Sequence, residues 1–338
     1  MPKLSVIMAV YNQEDFLKES IESILTQTFE DFEFIIVDDG SVDSSANIIK
    51  SYLDPRIRYI KNDVNKGLIF SLNRAVGMVS STADFIARMD SDDISLPFRF
   101  EKQVDFLDNN PNIDILGSAI RFFGNEIPIQ DIYFPLNNNE IVPSFYFMNP
   151  IAHPTIMLRT KTILNEYKYS LDYYKFEDYA LWANMIGRAK FFNLNEVLLK
   201  YRRHFGNVTS SYKSNPEATQ NILLKILETV TVNCGIAFSK TEIMNICIIA
   251  NTFIYNELPY IKIEDLISLV NNIFSQHSIP DFNINVLKKQ VGRNAFAYLL
   301  KQKRTVDLWK LIIHSKEKRQ YIAVVMSLIK KDKSILFN

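Results

Sequence analysis

The sequence predicts an α/β fold, in which helices flank a mixed, mainly parallel sheet, followed by an all-helical C-terminal region. Short apolar runs alternate with segments of helical periodicity through the first half of the 338 residues, which is the pattern of βαβ units. The runs at 4–10 and 34–37 are almost continuously apolar, as in strands covered on both faces. From about residue 215 only helical periodicity continues.

The predicted elements follow one another in a regular order. Strands are predicted at 4–10, 32–41, 57–62, 84–89 and 114–124, the second of which runs into a turn. Helices between them are predicted at 14–27, 44–53 and 67–79, and a fourth begins after Pro97, which suits a first helical turn. The C-terminal helices are predicted at 218–233, 241–256, 263–276, 285–302 and 305–313. We therefore expect one domain over residues 1–213 and a helical domain over 214–338.

Polar residues follow the carboxyl ends of the predicted strands, which is where open parallel sheets bind ligands. They are Tyr11 and Asn12 after the first strand, segment 38–41 after the second, segment 62–67 after the third and segment 90–93 after the fourth. Because these ends share one edge of the sheet, we expect the polar groups to converge there.

Two of these segments carry paired carboxylates. Asp90 and Asp92 flank Ser91, and Mg²⁺ or Mn²⁺ prefers such oxygen ligands. The alternative is a loop with Asx turns and a cap for the helix after Pro97. The segment 38–41 suits either a nucleotide site or a βα turn with a capping Ser. The chain has no GxGxxG and no GxxxxGK[ST] motif, which disfavours dinucleotide and P-loop sites.

The charge of the chain is unevenly distributed, although its formal net charge is zero. Residues 301–338 hold ten Lys or Arg against three acids, a net +7 that leaves −7 for residues 1–300. Such a basic segment indicates a membrane surface, an acidic partner or a solvated helix face. Cys234 and Cys247 lack metal or disulfide spacing and are expected to be buried thiols. The N-terminal apolar run is too short for a signal peptide, so we expect a cytoplasmic protein. Peripheral contact at the inner face of the membrane is the role that the basic segment suggests, with the solvated helix face as its alternative.

Several segments carry a resemblance to a known family. They are "SVIMAVYNQEDFLKESIESILTQTFEDFEFIIVDDGSVDSS" (5–45), "NKGLIFSLNRAV" (65–76), "ADFIARMDSDDISLPFRFEKQ" (83–103), "HPTIMLR" (153–159), "FEDYALWANMI" (176–186) and "LLKYRRHFGNVTS" (198–210). Their order, spacing and placement at strand ends resemble family 2 glycosyltransferases of the GT-A fold, of the bacterial glycan-synthesis type. The resemblance covers about residues 3–212.

The resemblance implies inverting transfer of a sugar from a nucleotide-diphospho-sugar with Mn²⁺ or Mg²⁺. It implies that Asp39 binds the nucleobase and that Asp38 lines the same nucleoside pocket. Asp92 is implied as the principal metal ligand, with Asp90 near the metal or the ribose, whereas Asp93 is assigned no role. Further nucleotide contacts are implied for Ala9, Tyr11, Glu14, Lys66, Gly67 and Arg74.

The general base that deprotonates the acceptor hydroxyl is implied to lie in the pair Glu177–Asp178. The resemblance favours Asp178, with Glu177 as the alternative, because adjacent helical residues point about 100° apart. Without the resemblance, both acids would be interpreted as complements to a helix dipole.

Other residues are candidates for the substrate sites. The resemblance places His204 where it could bind metal or phosphate, and His153 is a candidate for the acceptor pocket. Trp182 is a candidate for a sugar site, with core packing as the alternative. Arg202 and Arg203 are either phosphate partners or exposed strand charges.

The expected function is transfer of a hexose or N-acetylhexosamine from a UDP-sugar to a glycan acceptor on a lipid carrier or a protein. A nucleotidyltransferase would use similar acids but needs a Gly-rich basic loop, which "MAVYNQED" (8–15) does not offer. A non-catalytic sugar-nucleotide-binding subunit is disfavoured because every expected acid is present. We expect no nucleic acid partner, and the C-terminal helices are candidates for homo-oligomer contacts.

Overall fold

The computed structural model describes residues 2–124, 128–163, 168–204, 215–255, 257–276 and 281–315. The chain forms two compact units, one of Met1–Asn137 and Pro150–Asn207 and the other of Asn138–Asn149 and Val208–Asn338. The predicted boundary at 213–214 lies outside the described residues. The segment Asn138–Asn149 groups with the C-terminal helices although it lies far from them in sequence, which no local pattern indicates.

The α/β unit is built on a sheet that has nine strands within the described residues. These are β1 (Leu4–Val10), β2 (Phe32–Asp38), β3 (Ile57–Lys61), β4 (Phe85–Asp90), β5 (Ile94–Ser95), β6 (Ile115–Phe123), β7 (Gln130–Ile132), β8 (Met157–Arg159) and β9 (Phe191–Arg202). Their order is β3-β2-β1-β4-β8-β6-β9-β5, with β7 paired to β6. The strands β3, β2, β1 and β4 are parallel, as is the pair β6 and β9, whereas β5, β7 and β8 pair antiparallel. The predicted mixed α/β fold is confirmed.

The helices follow the apolar periodicity of the sequence. They are α1 (Leu17–Leu25), α2 (Ser45–Ser51), α3 (Leu68–Val76), α4 (Arg99–Asn109), α5 (Asn138–Ser144), α6 (Thr160–Ile163), α7 (Glu177–Met185), α8 (Pro216–Cys234), α9 (Lys240–Ala250), α10 (Ile263–Ser275), α11 (Ile284–Lys301) and α12 (Thr305–His314). In α1, Leu17, Ile21 and Ile24 recur at helical spacing and are fully buried in the core beside β1 and β2. Burial of each such side chain contributes about 1.5–3 kcal/mol.

The second unit contains the five predicted C-terminal helices. Asn215 caps α8 by accepting from the Ala218 N–H, and Ser239 and Glu242 form a capping box on α9. The α9 helix ends at Ala250, before the predicted end at 256. Cys234 and Cys247 are buried free thiols, as expected. Among the described residues, no helix is both long and apolar enough to cross a bilayer.

Strand register brings the predicted site residues to one level of the sheet. Ala9 of β1 lies beside Asp90 of β4, and Val10 lies beside Asp38 of β2. The turns that follow β1, β2 and β4 therefore leave the sheet at the same edge, as predicted for a parallel sheet.

Candidate active site

The loops that follow β1 and β2 are tied together by hydrogen bonds. The Asn12 N–H donates to Ser41 Oγ at 3.1 Å, and Asn12 Oδ1 accepts from the Val42 N–H at 3.0 Å. Asn12 has a φ of +50°, which Asn tolerates better than most residues. Tyr11 beside it keeps 43% of its surface exposed, so part of its side chain remains accessible at this edge.

Asp38 and Glu14, for which nucleotide contacts are predicted, accept hydrogen bonds from the protein itself. Asp38 is fully buried, and its two carboxylate oxygens accept from the Ser41 N–H at 2.8 Å and the Tyr59 hydroxyl at 2.9 Å. The Glu14 carboxylate accepts from the Ser44 N–H at 2.8 Å. These contacts hold the loop after β2 in place, and a direct nucleotide contact by Asp38 or Glu14 stays a prediction.

Asp39 organises the loop between β3 and α3. Its Oδ1 accepts from Asn62 Nδ2 at 2.6 Å and from the Lys66 N–H at 3.0 Å, and its Oδ2 accepts from the Gly67 N–H at 2.8 Å. Gly67 has a φ of +89°, in the region that glycine adopts without strain. Arg74 donates to Asn62 Oδ1, which makes Asn62 the link between Arg74 and Asp39. The sequence assigns no role to Asn62, although its place after a strand end was a signal.

The turn after β4 concentrates carboxylates. Asp90, Asp92 and Asp93 each present an oxygen within 4.8 Å of the others. Asp90 forms a two-pronged ion pair with the buried Arg88. Asp93 is 1% exposed; its Oδ1 accepts from the Arg202 N–H at 2.8 Å, and its Oδ2 is buried with no hydrogen-bond partner.

The acids in this turn are held where ionisation is unfavourable. Burial, together with the charge of Asp92, raises the pKa of Asp90 to about 6 despite the opposing Arg88. Burial and the charges of Asp92 and Asp90 raise the pKa of Asp93 well above its usual value. Three carboxylate oxygens this close together, in a turn that also holds the buried and unpartnered Asp93 Oδ2, fit a hard divalent cation such as Mn²⁺ or Mg²⁺.

The end of β9 lies against the same turn. His204 Nε2 lies 3.0 Å from Asp92 Oδ2, and its ring lies 4.8 Å from the Phe16 ring. Arg202 Nε donates to the Asp92 carbonyl at 2.7 Å, and its guanidinium lies between the Phe16 and Phe123 rings at 4.8 and 4.5 Å. Arg202 thus fixes the turn, and His204 adds a nitrogen beside the carboxylates.

Glu177 and Asp178 begin α7. Glu177 is buried and Asp178 is half-buried, with its Oδ1 accepting from the Tyr179 N–H at 2.7 Å. Burial, with a contribution from the charge of Glu177, raises the pKa of Asp178 to about 7. Burial also raises the pKa of Glu177. A carboxylate that titrates near neutral pH is suited to general base catalysis.

His153 and Trp182 lie in a packed aromatic cluster. His153 is 8% exposed, its Nε2 lies 2.8 Å from Tyr169 Oη, and its ring centroid lies 6.0 Å from that of Trp182. Burial and the charge of Arg88 hold the pKa of His153 well below its usual value, so the ring is neutral. Trp182 is fully buried, which agrees with core packing, the alternative to a sugar site.

Comparison with known proteins identifies the family of this chain. The profile of glycosyl transferase family 2 matches residues 5–168. An uncharacterized glycosyltransferase of Haemophilus influenzae is 38% identical over 223 residues, which are 62% of this chain and 68% of the relative. The O-antigen biosynthesis glycosyltransferase WbnJ of Escherichia coli is 36% identical over 236 residues, 68% of this chain and 91% of the relative.

Solved structures share the fold. Staphylococcus aureus TarS 1–349 matches with a TM-score of 0.58 at 18% identity, covering 98% of this chain and 92% of TarS, and it has also been solved in complex with UDP-GlcNAc. The mannosyltransferase PcManGT from Pyrobaculum calidifontis, in complex with GDP-Man and Mn²⁺, matches with a TM-score of 0.54 at 12% identity, covering 98% and 88% of the two chains. At these identities the similarity shows the fold, which is the GT-A fold predicted from the sequence. Together with the matched family profile and the relatives of the same kind, it shows that the chain belongs to glycosyl transferase family 2.

Proposed function

We propose that this glycosyltransferase is metal-dependent and inverting, and that it moves a hexose or N-acetylhexosamine from a UDP-sugar to a hydroxyl of a glycan acceptor. The observation that carries the proposal is that buried and half-buried acids stand at the ends of parallel strands and at the start of α7. Asp39 holds the loop between β3 and α3 at the predicted nucleotide site. Asp92 lies in the turn after β4 together with Asp90 and Asp93, and Asp178 on α7 has a pKa raised to about 7.

The donor site is proposed at the ends of β1 and β2 and the start of α3. The exposed Tyr11 would contact the nucleoside. Asp39 accepts two hydrogen bonds on Oδ1 and one on Oδ2, so one lone pair on Oδ2 remains for a base N–H. Lys66, Gly67 and Arg74 hold the loop that faces it. The UDP and UDP-GlcNAc complexes of TarS support a uridine donor.

The cation is proposed to be held by Asp92, with Asp90 and His204 beside it. Asp90 pairs with Arg88 and Asp92 lies beside His204, and we assign the larger share of binding to Asp92 because the family resemblance makes it the principal ligand. When bound, Mn²⁺ or Mg²⁺ acts as a Lewis acid that stabilises the leaving diphosphate. The complex of PcManGT with Mn²⁺ is consistent with this assignment.

Asp178 is proposed to take the proton of the attacking hydroxyl, with Glu177 as the alternative. The acceptor oxygen forms the new bond to the anomeric carbon while the bond to the diphosphate oxygen breaks with its electron pair. Because attack comes from the face opposite the leaving group, the anomeric configuration inverts. Half-buried Asp178 is the more accessible of the two acids.

The acceptor is proposed to be a glycan on a lipid carrier or a protein, which fits a relative named for O-antigen biosynthesis. The basic segment would then bring the enzyme to the inner face of the membrane, from the cytoplasm. Most of that segment, 316–338, lies outside the described residues. Liposomes rich in anionic lipid should sediment the full chain but not a chain ending at Ser315, and equal sedimentation of both would remove this role.

Product analysis tests the reaction class. Purified protein is incubated with a panel of UDP- and GDP-sugars and Mn²⁺, and the released nucleotide is identified. A glycosyltransferase releases UDP, slowly even when water is the acceptor, whereas a nucleotidyltransferase would release pyrophosphate from UTP and a sugar phosphate. Tight UDP binding without release from any donor, with or without glycan acceptors, would favour the non-catalytic alternative.

A further inference from the structure

Tyr169 is held in place at its backbone and at its hydroxyl. Asn73 of α3 contacts the Tyr169 backbone twice: its Nδ2 donates to the carbonyl at 2.8 Å and its Oδ1 accepts from the N–H at 3.0 Å. The Tyr169 hydroxyl lies 2.8 Å from His153 Nε2, and the residue is 7% exposed. A tyrosine in an irregular segment thus has one defined position.

Tyr169 is connected to the helix that carries the proposed base through contacts between aromatic side chains. His153 contacts Tyr169 and also packs against Trp182, with ring centroids 5.4 and 6.0 Å away. Trp182 stands four residues after Asp178 on α7 and therefore on the same helical face. The charges of Asp178 and Glu177 act on the phenol and, with burial as the main cause, raise the pKa of Tyr169, so the hydroxyl keeps its proton.

We propose that Tyr169 is a further catalytic residue, whose hydroxyl orients the attacking hydroxyl toward Asp178, with His153 and Asn73 as positioning residues. A phenol offers one O–H donor and acceptor lone pairs. When His153 Nε2 carries the proton and donates to the phenol oxygen, the Tyr169 O–H is left to donate to the attacking oxygen, whose own proton is then directed to Asp178. This inference rests on the proposed function of the same site.

The test compares Tyr169→Phe with Tyr174→Phe, a matched control that removes a hydroxyl from a side chain that is 61% exposed. UDP release from UDP-GlcNAc is measured with Mn²⁺, with water as the acceptor, together with UDP affinity and the melting temperature. We expect Tyr169→Phe to lower kcat about tenfold or more, with the KM for UDP-GlcNAc and the UDP affinity unchanged. The control should stay within about twofold of the wild type.

The positioning role has its own readout. His153→Gln, which keeps a hydrogen-bonding group near the Nε2 position, should retain more activity than His153→Leu. Because His153 is proposed to act only through the Tyr169 hydroxyl, the double variant Tyr169→Phe/His153→Leu should be no slower than Tyr169→Phe. Additive losses would overturn the positioning role, and release within twofold of wild type in Tyr169→Phe would overturn the catalytic role. If the wild type binds no nucleotide and releases none from any donor, the proposed function itself fails and this inference fails with it.

Discussion

Replacing Asp178 with Asn removes the proposed proton acceptor while keeping an oxygen that can accept from the Tyr179 N–H. A positioned general base contributes about 10²–10⁴-fold, so we expect UDP release to fall by about 10³-fold, or about 4 kcal/mol in activation free energy. The UDP affinity should be unchanged, because Asp178 lies on α7 and not at the strand ends of the proposed nucleotide site. Initial rates with Mn²⁺ and a titration with UDP measure both quantities.

The pH profile makes the same prediction quantitative. With a pKa of about 7, the ionised fraction of Asp178 falls about tenfold for each pH unit below 6. The wild-type rate should therefore fall in that proportion and level off above about pH 8, whereas the small residual rate of Asp178→Asn should lack this step. Because the pair Glu177–Asp178 titrates together, the measured midpoint belongs to the pair.

The stability of the fold should depend on pH in the direction opposite to the rate: it should fall as the pH rises and Asp178 ionises. Folding raises the pKa of Asp178, so its ionised form disfavours the folded state. The penalty is absent below the unfolded pKa near 4 and complete above about 7. Asp178→Asn should therefore raise the melting temperature at pH 8 and leave it nearly unchanged at pH 4.

The matched control for the activity measurement is Glu177→Gln, which we expect to keep most of the activity. Near-normal release by Asp178→Asn together with loss in Glu177→Gln would refute the assignment and make Glu177 the base.

Three further changes address other parts of the protein. Asp92→Asn should raise the half-saturating Mn²⁺ concentration about tenfold or more, whereas Asp63→Asn, an exposed acid near the same edge, should not; equal responses would contradict the metal assignment. Arg74→Met removes the donor that holds Asn62, and loss of a charge-assisted hydrogen bond of about 1.5–3 kcal/mol should weaken UDP binding at least about tenfold by calorimetry. Leu269→Ala, at a fully buried position of α10, should lower the free energy of unfolding by about 2–5 kcal/mol in a denaturant titration without changing UDP affinity.

Local patterns were sufficient for most of the fold. The apolar runs of β1 and β2 and the i, i+4, i+7 spacing of Leu17, Ile21 and Ile24 in α1 indicate burial directly, so these elements are predicted within a few residues. The short strands β5, β7 and β8 were not predicted, because two or three residues carry no period and their pairing depends on distant partners. The 12-residue strand β9 was not among the predicted strands either, since polar residues at 193, 195 and 196 interrupt its apolar run. The grouping of α5 with the second unit is likewise a long-range fact: the Asn283 N–H donates to the Asn139 carbonyl at 2.8 Å, across many residues.

The site was predictable in its residue types and less so in its contacts. Strand-end placement brought out Asp39, Asp90 and Asp92, and register confirms that their strands end at one edge. The pairing of Arg88 with Asp90 was not predicted. Arg88 was interpreted as part of an apolar strand, and the sequence does not show that its buried guanidinium needs a carboxylate partner two residues away. Tyr169 was missed because it belongs to no motif and reaches the cluster only through side-chain contacts to Asn73 and His153.

The central claim is that the strand-end acids use a divalent cation to release a nucleotide from a sugar donor. The most direct measurement is UDP release from UDP-GlcNAc by wild-type protein treated with EDTA, dialysed and then titrated with Mn²⁺, beside Asp92→Asn. We predict no release after EDTA, recovery with added Mn²⁺, and little recovery in Asp92→Asn at the concentration that saturates the wild type. Release that persists in EDTA, or equal recovery in both proteins, would contradict the claim.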